Sequence, residues 1–362
     1  MKKQDKKIVI FAAGTGGHVY PGLSISNMLL SKNISVSWIG TKNGIENKII
    51  TDSKIKIHHV SFSGVRGKGI LSYIKLPVKL FIATIQSISI LRKIKPDVVL
   101  SMGGYISFPC TLGSFILRIP IITHEQNIVF GLTNNILRFL SDIVILGFPM
   151  NIKNKKYKFL GNPSRYEKSN IKKINKINKI NKKINILIVG GSLGAKVFNE
   201  IVPQAIYGLS KIKNYDINVI HQTGKTYKAA EIQYKKINVN VDLREYIASM
   251  KEAYEWCDII LCRGGAITIT EIMNLGVPAI IIPYPYAVDD HQMKNSKYLE
   301  ENNAAIVINQ NNFTSDYLIS IFKSLMDNVE LRESLSNNIR VLNKNDSTKN
   351  ICEEIIKKIS DN

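Results

Sequence analysis

Residues 7–18 read KIVIFAAGTGGH, and residues 185–196 read NILIVGGSLGAK. Each stretch is an apolar, β-branched run that ends in glycines and passes into a helix start. An unbroken apolar run is what a strand buried on both faces requires, and such strands belong to parallel sheets. A glycine turn between strand and helix lets the backbone approach a phosphate, and the helix N-terminus supplies amides and a positive dipole there. The same unit occurs twice, one domain's length apart. The pattern predicts an α/β protein of two Rossmann-like, doubly wound domains facing across a cleft, with a phosphate-bearing donor at the two turns.

Beyond the first turn, residues 18–30 have a helical pattern, and 34–39, 97–100 and 119–123 read as further strands. In the second half, 217–221, 259–262 and 279–283 read as strands, and the tail over 317–359 reads as helices. This alternation is that of a doubly wound sheet, repeated. Between the halves, 168–183 is built mainly from Lys, Ile and Asn and runs on to Asn185. Its composition favours a solvated linker over an extension of a helix. The expected division is an N-terminal domain over 1–166, a linker over 167–185 and a C-terminal domain over 186–340. A C-terminal helix over 341–362 can return to the first domain. A chain of 362 residues is long enough for two such cores.

Charge is unevenly spread. Residues 1–166 carry 23 Lys and Arg against 6 Asp and Glu, whereas 186–362 carry 19 against 21. A genome-wide bias would load both halves alike, so the basic half points to an anionic partner: a membrane surface, a nucleic acid or a phosphorylated substrate. A basic face without a partner is the alternative. The stretch over 65–95, VRGKGILSYIKLPVKLFIATIQSISILRKIK, sets Ile74, Leu76, Phe81 and Ile82 among Lys75 and Lys79. It can lie in a membrane interface or form a core helix after Pro77, and the charge tips the reading toward the membrane. The basic start followed by a short apolar run reads as a strand and not a signal peptide. No apolar stretch is long enough to span a bilayer. Cys110, Cys257, Cys262 and Cys352 form no C-x-x-C pair and read as reduced thiols of a cytosolic protein.

Gly14-Thr15-Gly16-Gly17 lacks the G-x-G-x-x-G spacing of a dinucleotide site, which disfavours a dehydrogenase, and neither turn is a G-x-x-x-x-G-K-[ST] loop. Gly103-Gly104 and Gly264-Gly265 add two more glycine pairs at strand ends. Residues 190–194 also match G-x-S-x-G, the nucleophile elbow of hydrolases, with Asp258 and His291 available as partners. No D-x-D and no metal-ligand spacing of His, Cys and acids occurs, so no metal or other cofactor is predicted. The basic half has no recognisable nucleic-acid motif with interleaved aromatics, so nucleic acid is not predicted as a partner.

GTGGHVYPGLSI (14–25), SGVRGKGI (63–70), PDVVLSMGGYISFP (96–109), HEQNIVFGLTN (124–134), GNPSR (161–165), GGSLGA (190–195), RGGAITITEI (263–272) and HQMKN (291–295) run in order through both halves. Together they resemble the MurG family of glycosyltransferases, family 28, of peptidoglycan synthesis. The resemblance implies a GT-B fold and transfer of N-acetylglucosamine from UDP-N-acetylglucosamine to the C4 hydroxyl of the muramoyl sugar of undecaprenyl-pyrophosphoryl-muramoyl-pentapeptide. This converts lipid I to lipid II with inversion of the anomeric centre. It further implies an enzyme peripheral on the cytoplasmic face of the inner membrane, with an anionic membrane surface and other cell-wall and division proteins as partners.

Carried over by motif, Thr15, Gly16 and Gly17 lie beside the donor sugar and diphosphate, and Asn127 and Arg165 approach the donor. Ser192 and the amides after it hold a phosphate of UDP. Ile247 meets uracil through its backbone, Ala266, Ile267, Thr268 and Glu271 line the nucleotide pocket with Glu271 on the ribose, and Gln292 contacts the sugar. Many members have two adjacent glutamines where His291 and Gln292 stand here. Inverting transfer needs a base for the attacking hydroxyl and stabilisation of departing UDP. His18, just after the first turn, is the candidate base; capping the helix or contacting acceptor phosphate is the alternative role.

Overall fold

The computed structural model describes residues 6–64, 69, 74–166, 182–191, 194–212, 215–237, 241–344 and 346–361. The chain divides into two compact units, Met1–Arg165 with Lys344–Asn362, and Tyr166–Asn343.

In the first unit, strands β1 (Lys7–Phe11), β2 (Ser35–Gly40), β3 (Lys56–His59), β4 (Val98–Ser101), β5 (Ile121–Glu125), β6 (Ile143–Leu146) and β7 (Tyr157–Phe159) form one sheet. Its order is β3-β2-β1-β4-β5-β6-β7, and every pairing is parallel. The helices are α1 (Gly16–Ser31), α2 (Glu46–Ile49), α3 (Leu76–Ile94), α4 (Ser107–Ile116) and α5 (Leu132–Leu137). The chain moves one way along the sheet from β1 to β3 and the other way from β3 to β7. Right-handed crossovers then put α1 and α2 on one face and α3, α4 and α5 on the other. The central strands are buried on both faces, which is why β1 and β4 read as unbroken apolar runs. The C-terminal helix Ser347–Ser360 joins the α1 face, where Ile351, Cys352, Ile355 and Ile359 pack into the core with Ile25 and Leu29. Lys158–Glu354 at 2.5 Å and Lys358–Asp142 at 3.2 Å tie its outer side to the same unit.

In the second unit, β8 (Lys182–Val189), β9 (Tyr215–Gln222), β10 (Asp242–Arg244), β11 (Ile259–Cys262), β12 (Ala279–Ile281) and β13 (Ile306–Val307) form a parallel sheet. The order is β10-β9-β8-β11-β12-β13. Its helices are α6 (Lys196–Ser210), α7 (Tyr227–Ile237), α8 (Met250–Trp256), α9 (Ala266–Leu275), α10 (His291–Glu301), α11 (Ser315–Asp327) and α12 (Val329–Val341). Both sheets reverse their direction of winding beside the first strand, between β1 and β4 and between β8 and β11. In open parallel sheets ligands bind outside the carboxyl ends of the strands at such switch points, and each glycine turn leaves the sheet there.

Several boundaries differ from the sequence reading: the C-terminal helix expected over 341–362 runs Ser347–Ser360, and 341–343 belong to the second unit. Residues 182–185, expected at the end of the linker, already pair with Tyr215–Asn218 of β9, and Ile184 is buried in the core of the second unit. Residues 167–181 of that expected linker lie outside the described residues. Strand β5 ends at Glu125 and not at 123, so His124 and Glu125 are strand residues facing a buried environment. Among the described residues, no helix is long and apolar enough to cross a membrane.

Candidate active site

At the end of β1 the backbone enters a positive φ of 97° at Gly14, where a Cβ would lie 2.9 Å from the ring of Tyr105. Thr15 is extended and precedes α1 without capping it through its side chain. Its Oγ1 instead pairs with His18 Nδ1 at 3.1 Å, while its carbonyl accepts from the backbone N–H of His18. The His18 ring lies over the second glycine pair. A Cβ on Gly103 would be 3.4 Å from its Cδ2, and one on Gly104 3.5 Å from its Nδ1, and both glycines have positive φ. When Nδ1–H donates to Thr15, Nε2 carries the lone pair a base needs. Tyr20, one turn on, covers Gly16, and the Arg165 guanidinium sits 4.0 Å from its ring centroid. Thr15, Gly16, Gly17, His18 and Arg165 are thus brought together at the carboxyl edge of the first sheet.

Asn127 reaches the same edge through a buried carboxylate. Glu125 Oε1 accepts from the Asn127 backbone N–H at 3.0 Å and from its Nδ2 at 3.1 Å. Oε2 accepts from the Gly131 N–H at 3.1 Å and from Asn134 Nδ2 at 2.9 Å. Burial raises the Glu125 pKa, and the donations from Asn127, Asn134 and Gly131 work against that rise. Gln126 Nε2 donates to the Met102 carbonyl at 2.7 Å, and Asn162 Nδ2 donates to the Gln126 carbonyl at 3.0 Å. His124 Nδ1 accepts from Gln126 and its Nε2 faces the Gly161 carbonyl at 3.2 Å. Burial holds the His124 pKa down at about 4, against the Gly161 hydrogen bond that raises it, so the ring is neutral near pH 7. The loop after β5 is therefore fixed to β4 and to the segment after β7. Glu125 and Asn134 were not singled out from sequence; their signal is an acid and an amide amid an apolar, carboxylate-poor run.

In the second unit, Gly190 follows β8 where a Cβ would meet Ala195 N at 2.4 Å. A Cβ on Gly194 (φ 77°) would meet the Thr223 carbonyl at 2.1 Å. Gly194 N–H closes the turn onto the Gly191 carbonyl at 2.9 Å. Ser192, expected on a phosphate of UDP, lies outside the described residues. After β11, a Cβ on Gly264 would strike Ser296 Oγ at 2.4 Å and the Gln292 carbonyl at 2.5 Å, so α10 packs directly on this turn. Gly265 is the extended residue before α9, which makes Ala266, Ile267 and Thr268 the first turn. The amides there have no intrahelical acceptor and carry the positive end of the helix dipole. Glu271 is buried, and its Oε2 accepts from the Tyr254 hydroxyl at 2.9 Å, which joins α9 to α8. Burial, then the Glu271 charge, hold the Tyr254 hydroxyl protonated. Gln292 Oε1 accepts from the Tyr284 N–H at 3.0 Å, and Ile247 is buried in the loop between β10 and α8. Arg263 was not singled out: its Nη1 donates to the Ile282 and Pro283 carbonyls, its guanidinium lies over Phe198 at 4.8 Å, and burial lowers its pKa to about 10.

The hydrolase reading fails on position. Asp258 precedes β11 and accepts from the Asn185 N–H at 2.9 Å, whereas the glycine turn follows Val189. In a parallel pair these are opposite ends of the strands, roughly 10 Å or more apart. Among the described residues, no three His, Cys, Asp or Glu lie together as metal ligands would. Of the expected membrane-facing residues, Ile74, Lys75, Lys79, Phe81 and Ile82 are exposed and Leu76 is half-buried.

Residues 8–145 match the glycosyltransferase family 28 N-terminal domain, and residues 185–354 match the family 28 C-terminal domain. The chain is 36% identical over 360 residues to the "UDP-N-acetylglucosamine--N-acetylmuramyl-(pentapeptide) pyrophosphoryl-undecaprenol N-acetylglucosamine transferase" of Psychromonas ingrahamii, covering 98% of this chain and 100% of that one. It is 39% identical over 370 residues to the protein of the same name from Francisella philomiragia, covering 99% and 98%. The crystal structure of Acinetobacter baumannii MurG superposes with a TM-score of 0.80 at 32% identity, covering 97% of this chain and 99% of that one.

Proposed function

This chain belongs to glycosyltransferase family 28, and from that premise we infer that it is the N-acetylglucosaminyltransferase that converts lipid I to lipid II. It moves N-acetylglucosamine from UDP-N-acetylglucosamine to the C4 hydroxyl of the muramoyl sugar of undecaprenyl-pyrophosphoryl-muramoyl-pentapeptide. The observation that carries this reading is a likeness running through both halves of the chain, so that both glycine turns lie inside it.

In our reading His18 Nε2 takes the proton of the C4 hydroxyl as that oxygen attacks the anomeric carbon, and the bond from that carbon to the UDP oxygen breaks. One displacement inverts the centre. The pairing of His18 Nδ1 with Thr15 supports this role by fixing the ring. Charge developing on UDP falls to fixed dipoles and one cation: the amides after Gly14, those of Ser192 and its turn, the α9 N-terminus and Arg165. Preorganised donors of this kind are worth ~3 kcal/mol each in comparable sites, and no metal is needed in this scheme. Glu271 takes the ribose hydroxyls, the Ile247 backbone the uracil, and Asn127 and Gln292 the sugar.

The polyprenyl-linked acceptor requires the enzyme to work at a membrane. We place it peripherally on the cytoplasmic face, with α3 and its exposed Phe81 and Ile82 among Lys75 and Lys79 toward anionic lipid. Incubation with UDP-N-acetylglucosamine and a short-chain lipid I analogue tests the reading. UDP release that depends on the analogue supports it; release without acceptor, or epimerised donor, refutes it.

A further inference from the structure

Helix α8 follows the loop that carries Ile247, and it buries Ala253 and Tyr254. A buried phenol has one hydrogen to give and needs an acceptor for it. Tyr254 gives it to Glu271 Oε2 of α9 at 2.9 Å. Glu271 is buried as well, and a carboxylate in such a place is costly unless donors reach it. A hydrogen bond from a hydroxyl to a carboxylate is charge-assisted and directional, so it fixes the plane of the carboxyl group as well as stabilising its charge. Burial, followed by the nearby Glu271 charge, holds the phenol protonated, so it stays a donor at neutral pH.

Tyr254 is itself held from behind. The Tyr166 ring meets it edge-on, with centroids 6.2 Å apart and planes at 71°. The Tyr166 carbonyl accepts from Asn274 Nδ2 at 2.8 Å. Glu271 and Asn274 stand three apart on α9 and so share one face of the helix. Helix α9 therefore grips this pair of rings twice, through Glu271 at the Tyr254 hydroxyl and through Asn274 at the residue behind it. A phenylalanine at 254 would fill the same space and keep the edge contact with Tyr166. Only the bond to Glu271 requires the hydroxyl.

We propose that Tyr254 is a positioning residue for nucleotide recognition: its hydroxyl aims the Glu271 carboxylate so that it accepts from the 2′ and 3′ hydroxyls of the donor's ribose. Tyr254 thereby sets the preference for a ribonucleotide over a deoxyribonucleotide while touching no substrate itself. The inference rests on the reading that Glu271 meets the ribose.

The test is calorimetric titration of the full chain with UDP and with 2′,3′-dideoxy-UDP, for the wild type and for Tyr254→Phe. The wild type should bind UDP about tenfold or more tightly than the dideoxy nucleotide, the worth of a hydrogen bond to a charged group. In Tyr254→Phe, UDP should weaken about tenfold while the dideoxy nucleotide keeps its wild-type affinity, so the ratio falls toward one. Initial rates should show a raised donor KM with kcat at saturating donor near wild type. The dideoxy nucleotide doubles as a control for folding, because it fills the same pocket without the ribose hydroxyls. Equal weakening of both nucleotides overturns the proposal, since a packing defect in α8 would do the same. A wild-type preference that Tyr254→Phe retains also overturns it, and leaves Glu271 on the ribose without help from Tyr254. If the wild type does not distinguish the two nucleotides, the ribose reading of Glu271 fails and the proposal falls with it.

Discussion

Replacing Glu125 by Gln changes a single atom type at the centre of the first unit's polar network. Four N–H donors converge on the two carboxylate oxygens, from the Asn127 backbone and side chain, Gly131 and Asn134. A glutamine keeps one oxygen and turns an NH2 toward the donors at the other, so whichever way the amide sits, two donors lose their acceptor. At ~1–3 kcal/mol for a buried polar group left unpaired, offset in part by the lower cost of burying a neutral side chain, the net loss is about 2–4 kcal/mol. That is a large share of the roughly 5–15 kcal/mol that holds a domain together. Because the loop carrying Asn127 is what the carboxylate holds, donor binding should suffer as well as stability. Guanidinium unfolding should show a lower midpoint at unchanged slope, and initial rates of UDP release should show the donor KM raised about tenfold or more. A Gln variant with the wild-type midpoint and the wild-type donor KM would refute the view that Glu125 organises this loop.

His18→Ala should lower kcat on the short-chain analogue by ~10²–10⁴ with donor affinity by calorimetry unchanged; near-wild-type turnover at saturating substrates removes His18 as the base. Gly194→Ala forces a Cβ to 2.1 Å from the Thr223 carbonyl at a φ of 77°, so it should destabilise by ~3 kcal/mol or more and lower the melting temperature, which an unchanged Tm would contradict. His124 and His221 are both buried with lowered pKa values, about 4 and about 3. A histidine with a depressed folded value binds fewer protons than its unfolded counterpart, so the stability it contributes is complete above about 6.5 and is lost as pH falls toward the folded value, by roughly 3 kcal/mol for His124. Melting scans from pH 7 to pH 4 should fall steeply; His221→Gln should flatten the slope, and an identical slope would show that His221 does not drive it.

The parts of this molecule that depend on local periodicity were legible in its sequence. Lys7–Phe11 and the run into Val189 are apolar because parallel strands at the centre of a sheet touch helices on both faces, and the glycines after them sit where a Cβ would strike Tyr105 or the Thr223 carbonyl. Short edge strands were not legible: β7 has three residues and β13 two, too few for any period to show. The return of the C-terminal helix was anticipated as an option, but the contacts that hold it, Cys352 against Ile25 and Lys158 with Glu354, join residues hundreds of positions apart. The Glu125 network was hidden for a related reason. A buried carboxylate looks like any other acid until its donors are known, and these come from a loop folded back on the strand end.

The account's central claim is transfer from a UDP-linked sugar to a lipid-linked muramoyl acceptor with inversion. The most direct measurement is to incubate the full chain with UDP-N-acetylglucosamine and the short-chain lipid I analogue, count UDP released against disaccharide formed, and determine the new linkage by NMR. The account predicts one UDP for each disaccharide and a β1→4 bond. An α linkage, or UDP released without disaccharide, would contradict it.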